Sequence, residues 1–143
     1  KADAIALLFA TNPLRQTFHI DEAIKILMNK KIDSVIAVNE TPANHTPYWT
    51  LVRSPKGEVT LWGDIPLKKI LTRRQDFPLK CYARNDLVYV LKPKNLYDKE
   101  RPNLYGNKIE LYIIPDPEKY EADINTLGEW ADAERKVKRL LGK

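Results

Sequence analysis

The side chains best able to do chemistry in this chain are one cysteine and two histidines. Cys81 is the only cysteine, so the sequence excludes an internal disulfide. A cysteine can act as a nucleophile when a histidine takes its proton, and only His19 and His45 could do so. Neither spacing is diagnostic of a catalytic pair. Because free cysteines often behave as small apolar groups, we interpret Cys81 as structural or incidental.

A second chemical signal is the excess of basic residues, which gives a formal net charge of +5 from 24 basic and 19 acidic residues. Such a charge suits either nucleic acid or an anionic small substrate. The basic residues are dispersed: Arg73-Arg74, Lys92 and Lys94, and then residues 135–143. They form no recognised nucleic-acid-binding motif with aromatic residues. We therefore expect most of them to be solvated, and a nucleic-acid partner is disfavoured.

The elements that must position these groups begin as strand, helix, strand. The continuous apolar run 4–9 predicts a strand buried on both faces, as in a parallel sheet. Helical spacing follows over 20–28, and a second apolar strand over 34–38, which together predict a βαβ unit. Thr11 and Arg15 lie in the loop after the first strand, where α/β proteins present ligand-binding groups.

The middle of the chain has a different pattern. Apolar segments 48–52 and 59–62 flank Ser54-Pro55-Lys56-Gly57, which predicts a hairpin, and 63–82 is expected to be irregular. Further strands are predicted at 87–91 and 109–114. Thr126 with Glu129 forms a capping box that opens a last, amphipathic helix. The sequence therefore predicts an α/β fold with an antiparallel insertion.

The chain shows neither an apolar run of about 18 residues nor a signal-peptide pattern. We therefore expect a cytoplasmic protein without a membrane span. It begins with Lys1, almost directly on its first strand, and we expect an N-terminal part to have been removed or left out.

Four segments, in order, resemble the acylneuraminate cytidylyltransferase (CMP-sialic acid synthetase) family. They are residues 7–15 (L-L-F-A-T-N-P-L-R, beside the family's L-L-Q-P-T-S-P-L-R), 47–51 (P-Y-W-T-L, beside P-Y-W-A-L), 73–78 (R-R-Q-D-F-P, beside R-R-Q-D-L-P) and 122–126 (A-D-I-N-T, beside V-D-I-D-T). The third match is the most specific. Together the matches extend over essentially the whole chain.

The resemblance implies a single, partial domain over 1–143, with a Rossmannoid, nucleotide-sugar-transferase-like mixed sheet that is truncated at its N-terminus. It also implies a homodimer, in which a β-rich insertion at about 45–83 reaches towards the partner's active site. The implied reaction joins a sialic-like (nonulosonic) sugar acid to CTP, giving CMP-sugar and pyrophosphate.

That reaction needs Mg²⁺, carboxylates to hold it, and cations facing the phosphates and the sugar acid. The resemblance implies Asp123 as the catalytic carboxylate and Asp123 with Asn125 as metal ligands. It implies a set of substrate-binding residues, namely Thr11, Arg15, Arg74, Gln75, Asn85 and Tyr89. Each has a plainer interpretation: Arg74 solvated, Asp123 a turn residue, Arg15 a surface or helix-flanking residue. Tyr48 and Trp49 are expected to be packing or interface aromatics.

The chain departs from the family pattern in ways that bear on catalysis. The A-R-G-G-S-K loop that cradles the CTP triphosphate has no counterpart among its five glycines. Phe9 replaces a glutamine, Ala83 replaces an arginine although Arg84 follows, and Asn125 replaces an aspartate. The alternative is therefore a catalytically inactive module that binds a sugar acid or dimerises.

Overall fold

The structure is a computed structural model and describes residues 2–100 and 102–142. The described strands are β1 (Ile5–Leu7), β2 (Ser34–Glu40), β3 (Leu51–Arg53), β4 (Val59–Leu61), β5 (Ile65–Pro66), β6 (Tyr82–Leu91) and β7 (Ile109–Ile113). The described α-helices are α1 (Thr17–Asn29), α2 (Pro117–Tyr120) and α3 (Leu127–Leu140). The chain is thus a mixed α/β protein, as predicted.

The chain divides into two compact units. The first unit runs to Asn39 and resumes at Arg84, and the second unit is Glu40–Ala83. The predicted β-rich insertion at about 45–83 covers nearly the same residues as the second unit. Its dimerising role stays a prediction.

The first unit is built on a four-stranded mixed sheet with the strand order β1-β6-β2-β7. β1 runs antiparallel to β6, with Leu7 opposite Tyr89, whereas β2 runs parallel to β7, with Ser34 opposite Ile109. The expectation of a first strand buried on both faces is wrong, because Ala6 and Leu8 are exposed. β1 lies at the end of the described sheet, with β6 as its one neighbour there, whereas a continuous apolar run is typical of a central strand.

Helix α1 covers one face of this sheet. Ala23 and Leu27 lie one turn apart and are fully buried in a core with strand residues of β2, β6 and β7. The core cluster comprises Ala23, Leu27, Val35, Ala37, Leu87, Val88, Val90, Tyr112 and Ile114. The predicted helix over 20–28 is confirmed and begins three residues earlier, at Thr17.

Strand β7 lies at the edge of the described sheet and alternates in exposure. Tyr112 points into the core, whereas Ile109, Leu111 and Ile113 share the opposite face and are 47%, 40% and 51% exposed. An apolar stripe of this edge strand is therefore left open to solvent.

Helix α3 begins as predicted. The Thr126 hydroxyl accepts from the Glu129 backbone N–H at 3.3 Å, and Glu129 Oε2 accepts from the Thr126 N–H at 2.7 Å. Its apolar stripe is largely uncovered, since Leu127 is 90% exposed and Trp130 60%. Ala133 is its buried residue.

The second unit holds a three-stranded antiparallel sheet, β3-β4-β5. The predicted hairpin is confirmed: β3 pairs with β4, and Gly57 takes φ +87° in the turn between them. A second tight turn at Gly63-Asp64, both with positive φ, leads into β5. The sequence did not reveal β5, because two residues ending in proline carry no strand pattern.

Candidate functional site

The second unit contains a cavity of about 640 Å³ that includes two of the predicted substrate-binding residues, Arg74 and Gln75. The cavity is lined by Glu40, Thr41, Pro42, Ala43, Thr46, Arg74, Gln75, Phe77, Pro78, Leu79, Lys80 and Cys81. This lining mixes cations, hydrogen-bonding groups and apolar side chains. Such a mixture suits a polar organic anion with an apolar part, as a sugar acid has.

The local chain geometry distinguishes the two neighbouring arginines. Arg73 binds Asp76 through two parallel hydrogen bonds, Nε to Oδ2 and Nη2 to Oδ1, both 3.0 Å long. Arg74 and Asp76 bound a single 3₁₀ turn, closed by the hydrogen bond from the Phe77 N–H to the Arg74 carbonyl. Arg74 takes part in no ion pair among the described residues. Of the two guanidinium groups, that of Arg74 therefore keeps an uncompensated charge among the described residues.

Lys80 is a second cation of the same cavity, and it is compensated. Its Nζ lies 2.8 Å from Glu40 Oε2, and this hydrogen bond raises the pKa of Lys80. The neighbouring backbone is fixed too, because the Thr41 N–H donates to the Cys81 carbonyl at 2.9 Å. The charge that remains available in the cavity is thus that of Arg74.

Aromatic packing supports the turn that carries Arg74. The Phe77 ring contacts Tyr48 at 4.8 Å and Trp49 at 5.1 Å between ring centroids, and the Trp49 indole N–H donates to the Leu71 carbonyl. Tyr48 and Trp49 act here as packing residues, as expected. They form the small core against which the 3₁₀ turn rests.

The remaining predicted site residues belong to the first unit. Arg15 is held by backbone oxygens: Nη2 donates to the Phe9 carbonyl at 2.5 Å and Nε donates to the Leu87 carbonyl. Burial lowers the pKa of Arg15. Arg15 thus fastens the loop after β1 to β6, a structural role that spacing alone did not indicate.

Thr11 lies in the same loop and meets the segment that carries Asp123. The Ile124 N–H donates to the Thr11 carbonyl at 3.1 Å. The structure therefore brings the loop after β1 and the segment before α3 together, although they are more than 100 residues apart in sequence.

Asn85 and Tyr89 both lie on β6. The Asn85 side-chain oxygen accepts from the Leu87 N–H at 2.8 Å, and the Tyr89 hydroxyl donates to Asp86 at 3.0 Å. The Tyr89 ring packs edge-on against Phe9 with centroids 5.3 Å apart. Burial first, and then the bond to Asp86, raise the pKa of Tyr89 to about 12. Asn85 and Tyr89, both predicted to bind substrate, are thus buried and engaged in local hydrogen bonds.

The implied metal ligands are adjacent and exposed. Asn125 Nδ2 donates to Asp123 Oδ2 at 2.8 Å, so the amide turns a donor towards the carboxylate. Among the described residues, no group of three or more histidine, cysteine or acidic side chains could hold a metal ion. One carboxylate and one amide oxygen fit a Mg²⁺ that takes its other ligands from water and phosphates, provided that this mutual hydrogen bond opens.

His19 is a notable residue that sequence reasoning considered only as a base for Cys81. It is fully buried, its Nδ1 accepts from the Gln16 N–H at 3.0 Å, and the Tyr120 ring lies 4.8 Å away. Burial lowers its pKa, Glu22 raises it and Arg15 lowers it further. Its position three residues after Gln16 was the available signal, since a side chain there can cap the helix.

Comparison with protein-family models gives no match, and comparison with curated proteins gives none either. Among the described helices, none has the length and apolar character that crossing a membrane requires.

Proposed function

We propose that this chain is a cytidylyltransferase-like domain that binds a nonulosonic sugar acid and takes part in its activation by CTP. The observation that carries the proposal is that the two arginines of residues 73–76 have different surroundings. Asp76 neutralises Arg73, while Arg74 and Gln75 line a cavity of about 640 Å³. A guanidinium without an acidic partner meets a carboxylate in two parallel hydrogen bonds, which favours a sugar acid over a neutral sugar.

The fold supports the same proposal. A strand, a crossing helix and a second strand of one mixed sheet agree with the Rossmannoid, nucleotide-sugar-transferase-like domain that the sequence resemblance implies. The loop after β1 contacts the segment of Asp123 through the Thr11 carbonyl. In such a domain this is where a ligand would meet a carboxylate-held Mg²⁺.

In the proposed reaction a sugar hydroxyl attacks the α-phosphorus of CTP. A new P–O bond forms, the bond from the α-phosphorus to the bridging oxygen breaks, pyrophosphate leaves, and the hydroxyl proton passes to solvent. Mg²⁺, when bound, would neutralise charge on the phosphate oxygens, and Asp123 with Asn125 would hold it. Arg74 and Gln75 would orient the sugar acid in the homodimer that the resemblance implies, in which the insertion of one subunit reaches towards the partner's active site.

A second candidate is a non-catalytic module that binds the sugar acid or dimerises, and two observations favour it. The Asn125 amide donates to Asp123, and Arg15 donates through Nη2 and Nε to the carbonyls of Phe9 and Leu87. Both interactions engage residues of the implied metal and substrate sites in structural hydrogen bonds. The five glycines, moreover, form no phosphate-binding loop in the sequence.

Pyrophosphate release separates the two candidates. The chain is incubated with CTP, Mg²⁺ and a panel of nonulosonic acids, alone and with an N-terminal cytidylyltransferase half supplied in trans. Release that disappears in Asp123→Ala but persists in Asp132→Ala, a nearby acid already paired with Arg135, supports the enzyme. Sugar-acid binding without release under either condition supports the module. Absence of both binding and release, in a chain that is also monomeric by analytical ultracentrifugation, refutes the two candidates together.

A further inference from the structure

Arg84 and Tyr105 form a polar pair in the first unit that the function proposed above does not use. Arg84 Nη1 donates to the Tyr105 hydroxyl oxygen at 2.6 Å. Arg84 is exposed and is the first residue of β6 that belongs to this unit, and Tyr105 is half-buried in the loop that precedes β7. The two residues come from segments that sequence reasoning left unconnected.

The loop that carries Tyr105 is held firmly from below. Asp33 Oδ2 accepts from the N–H groups of Asn107 and Lys108, both at 3.0 Å, and Ser34 Oγ donates to the Tyr105 carbonyl at 2.6 Å. The Lys94 ammonium lies 2.6 Å from Asp33 Oδ1 and, with these backbone donors, lowers the pKa of Asp33 to about 2. The Asp33 carboxylate, which clamps this loop, therefore stays ionised at all physiological pH values.

The same loop is braced from within. Asn103 Oδ1 accepts from the N–H groups of Tyr105 and Gly106, at 2.8 and 2.6 Å. Gly106 has φ +69°, and a Cβ there would lie 2.5 Å from the Asp33 Cβ. The backbone at Tyr105 and Gly106 is therefore restrained, and the bond from Arg84 holds the Tyr105 hydroxyl.

Hydrogen-bond capacity decides what this pair can recognise. A tyrosine hydroxyl that accepts from a guanidinium still has its own proton to donate, and an arginine has five N–H donors. The pair can therefore offer a ligand the Tyr105 hydroxyl proton and further N–H groups of Arg84. The nearest acid on the strand, Asp86, already accepts the hydroxyl of Tyr89. Among ligand groups that accept two hydrogen bonds without offering a donor, an oxyanion is bound most strongly by this pair, because its hydrogen bonds are charge-assisted.

We propose that Arg84 and Tyr105 form an oxyanion-binding pair, which holds a carboxylate or phosphate oxygen of the ligand. The inference rests on the proposed function for the choice of ligands, since a sugar acid and a cytidine nucleotide supply those two groups. Tyr105 supplies a second donor beside the guanidinium. Arg84 supplies the charge.

Direct binding measurements test the pair without requiring turnover. Titration calorimetry of the full chain is run with N-acetylneuraminate, with its methyl ester and with CMP. Tyr105→Phe removes one donor and Arg84→Gln removes the charge. Each is expected to weaken binding of an anionic probe about tenfold or more, because hydrogen bonds to charged groups are strong. Binding of the uncharged ester is expected not to change.

Matched controls are available on the same chain. Tyr97→Phe makes the same chemical change at a tyrosine that is 79% exposed, and Arg53→Gln does so at an exposed strand arginine. Circular dichroism confirms that each variant is folded. A further variant, Arg84→Lys, keeps the positive charge but removes the planar guanidinium group with its paired N–H donors. Loss of affinity for N-acetylneuraminate identifies the carboxylate as the ligand group, and loss for CMP identifies the phosphate.

Two outcomes would overturn the pair. One is equal affinity of wild type, Tyr105→Phe and Arg84→Gln for both anionic probes, and the other is a wild type that binds neither probe. If the chain releases no pyrophosphate but Tyr105→Phe weakens binding of an anionic probe, catalysis is refuted and the oxyanion-binding pair is supported. If the chain is active and both substitutions leave binding unchanged, the proposed function is supported and the pair is refuted.

Discussion

Asp76 lies three residues after Arg73 and receives two parallel hydrogen bonds from it, each 3.0 Å long. The pair is exposed, so it adds little to stability. The ion pair compensates the charge of Arg73, whereas Arg74, which lines the cavity, has no acidic partner in the part of the chain that the structure describes.

The first prediction concerns Arg74. Arg74→Lys is expected to weaken binding of N-acetylneuraminate about tenfold or more, because the ammonium cannot make two parallel bonds to a carboxylate. Arg73→Lys is the control, since a lysine there still faces Asp76, and its effect should be less than twofold. Titration calorimetry measures both. Equal losses for the two variants would remove the distinction between the arginines.

A second prediction uses Cys81 as a reporter. It is the only cysteine, is half-buried and lines the same cavity as Arg74 and Gln75. A bound sugar acid should shield the thiol and slow its reaction with 5,5′-dithiobis(2-nitrobenzoate) several-fold. The Arg74→Lys variant should show little protection at the same ligand concentration. A ligand that binds without changing the wild-type rate would place the binding site elsewhere.

The third prediction is a pH dependence of stability that arises from His19. Burial lowers the pKa of His19 below its ordinary 6.5, so the unfolded chain binds a proton more readily than the folded one. The contribution of neutral His19 to the free energy of unfolding is therefore fully present above pH 6.5. As the pH falls below that value, this contribution is lost by up to about 1.4 kcal/mol per pH unit.

Urea denaturation at a series of pH values measures this slope. His19→Gln keeps a side chain able to cap the helix but cannot titrate, so it should flatten the curve between pH 6.5 and 5. A slope that survives in His19→Gln would assign the titration to another group.

The fourth prediction concerns Gly106, whose φ is +69° and whose added Cβ would lie 2.5 Å from the Asp33 Cβ. Gly106→Ala should destabilise the protein by about 2–4 kcal/mol, combining the strain of the left-handed backbone with a clash against a clamped side chain. Gly142→Ala is a close comparison, because Gly142 has φ +68° and open space around it. It should lower stability by about 1 kcal/mol or less. Chemical denaturation compares the two, and similar losses would mean that backbone strain, and not contact with Asp33, governs Gly106.

Local signals predicted much of the secondary structure. The capping box of Thr126 with Glu129, the hairpin turn at Gly57 and the helical spacing of Ala23 with Leu27 are all found in the structure. Each depends on residues a few positions apart, and chain stiffness and hydrogen bonding determine their outcome. The sheet order β1-β6-β2-β7 could not be predicted in this way, since it pairs Leu7 with Tyr89 across most of the chain.

The candidate site shows the same limit. The R-R-Q-D segment identified Arg74 and Gln75, and the structure places both on one cavity wall. Spacing could not reveal that Arg15 would bind the carbonyl of Leu87, because that contact depends on how the loop after β1 meets β6. The pairing of Arg84 with Tyr105 was invisible for the same reason, since 21 residues and a clamped loop separate them.

Strand β7 also affects how the protein behaves in concentrated solution. Its stripe of Ile109, Leu111 and Ile113 is open to solvent at the edge of the described sheet, and such an edge can pair with a strand of another molecule. We expect precipitation to set in at a protein concentration governed by this strand and not by the stability of the fold. A single charge, as in Leu111→Lys, should raise that concentration while leaving the melting temperature nearly unchanged.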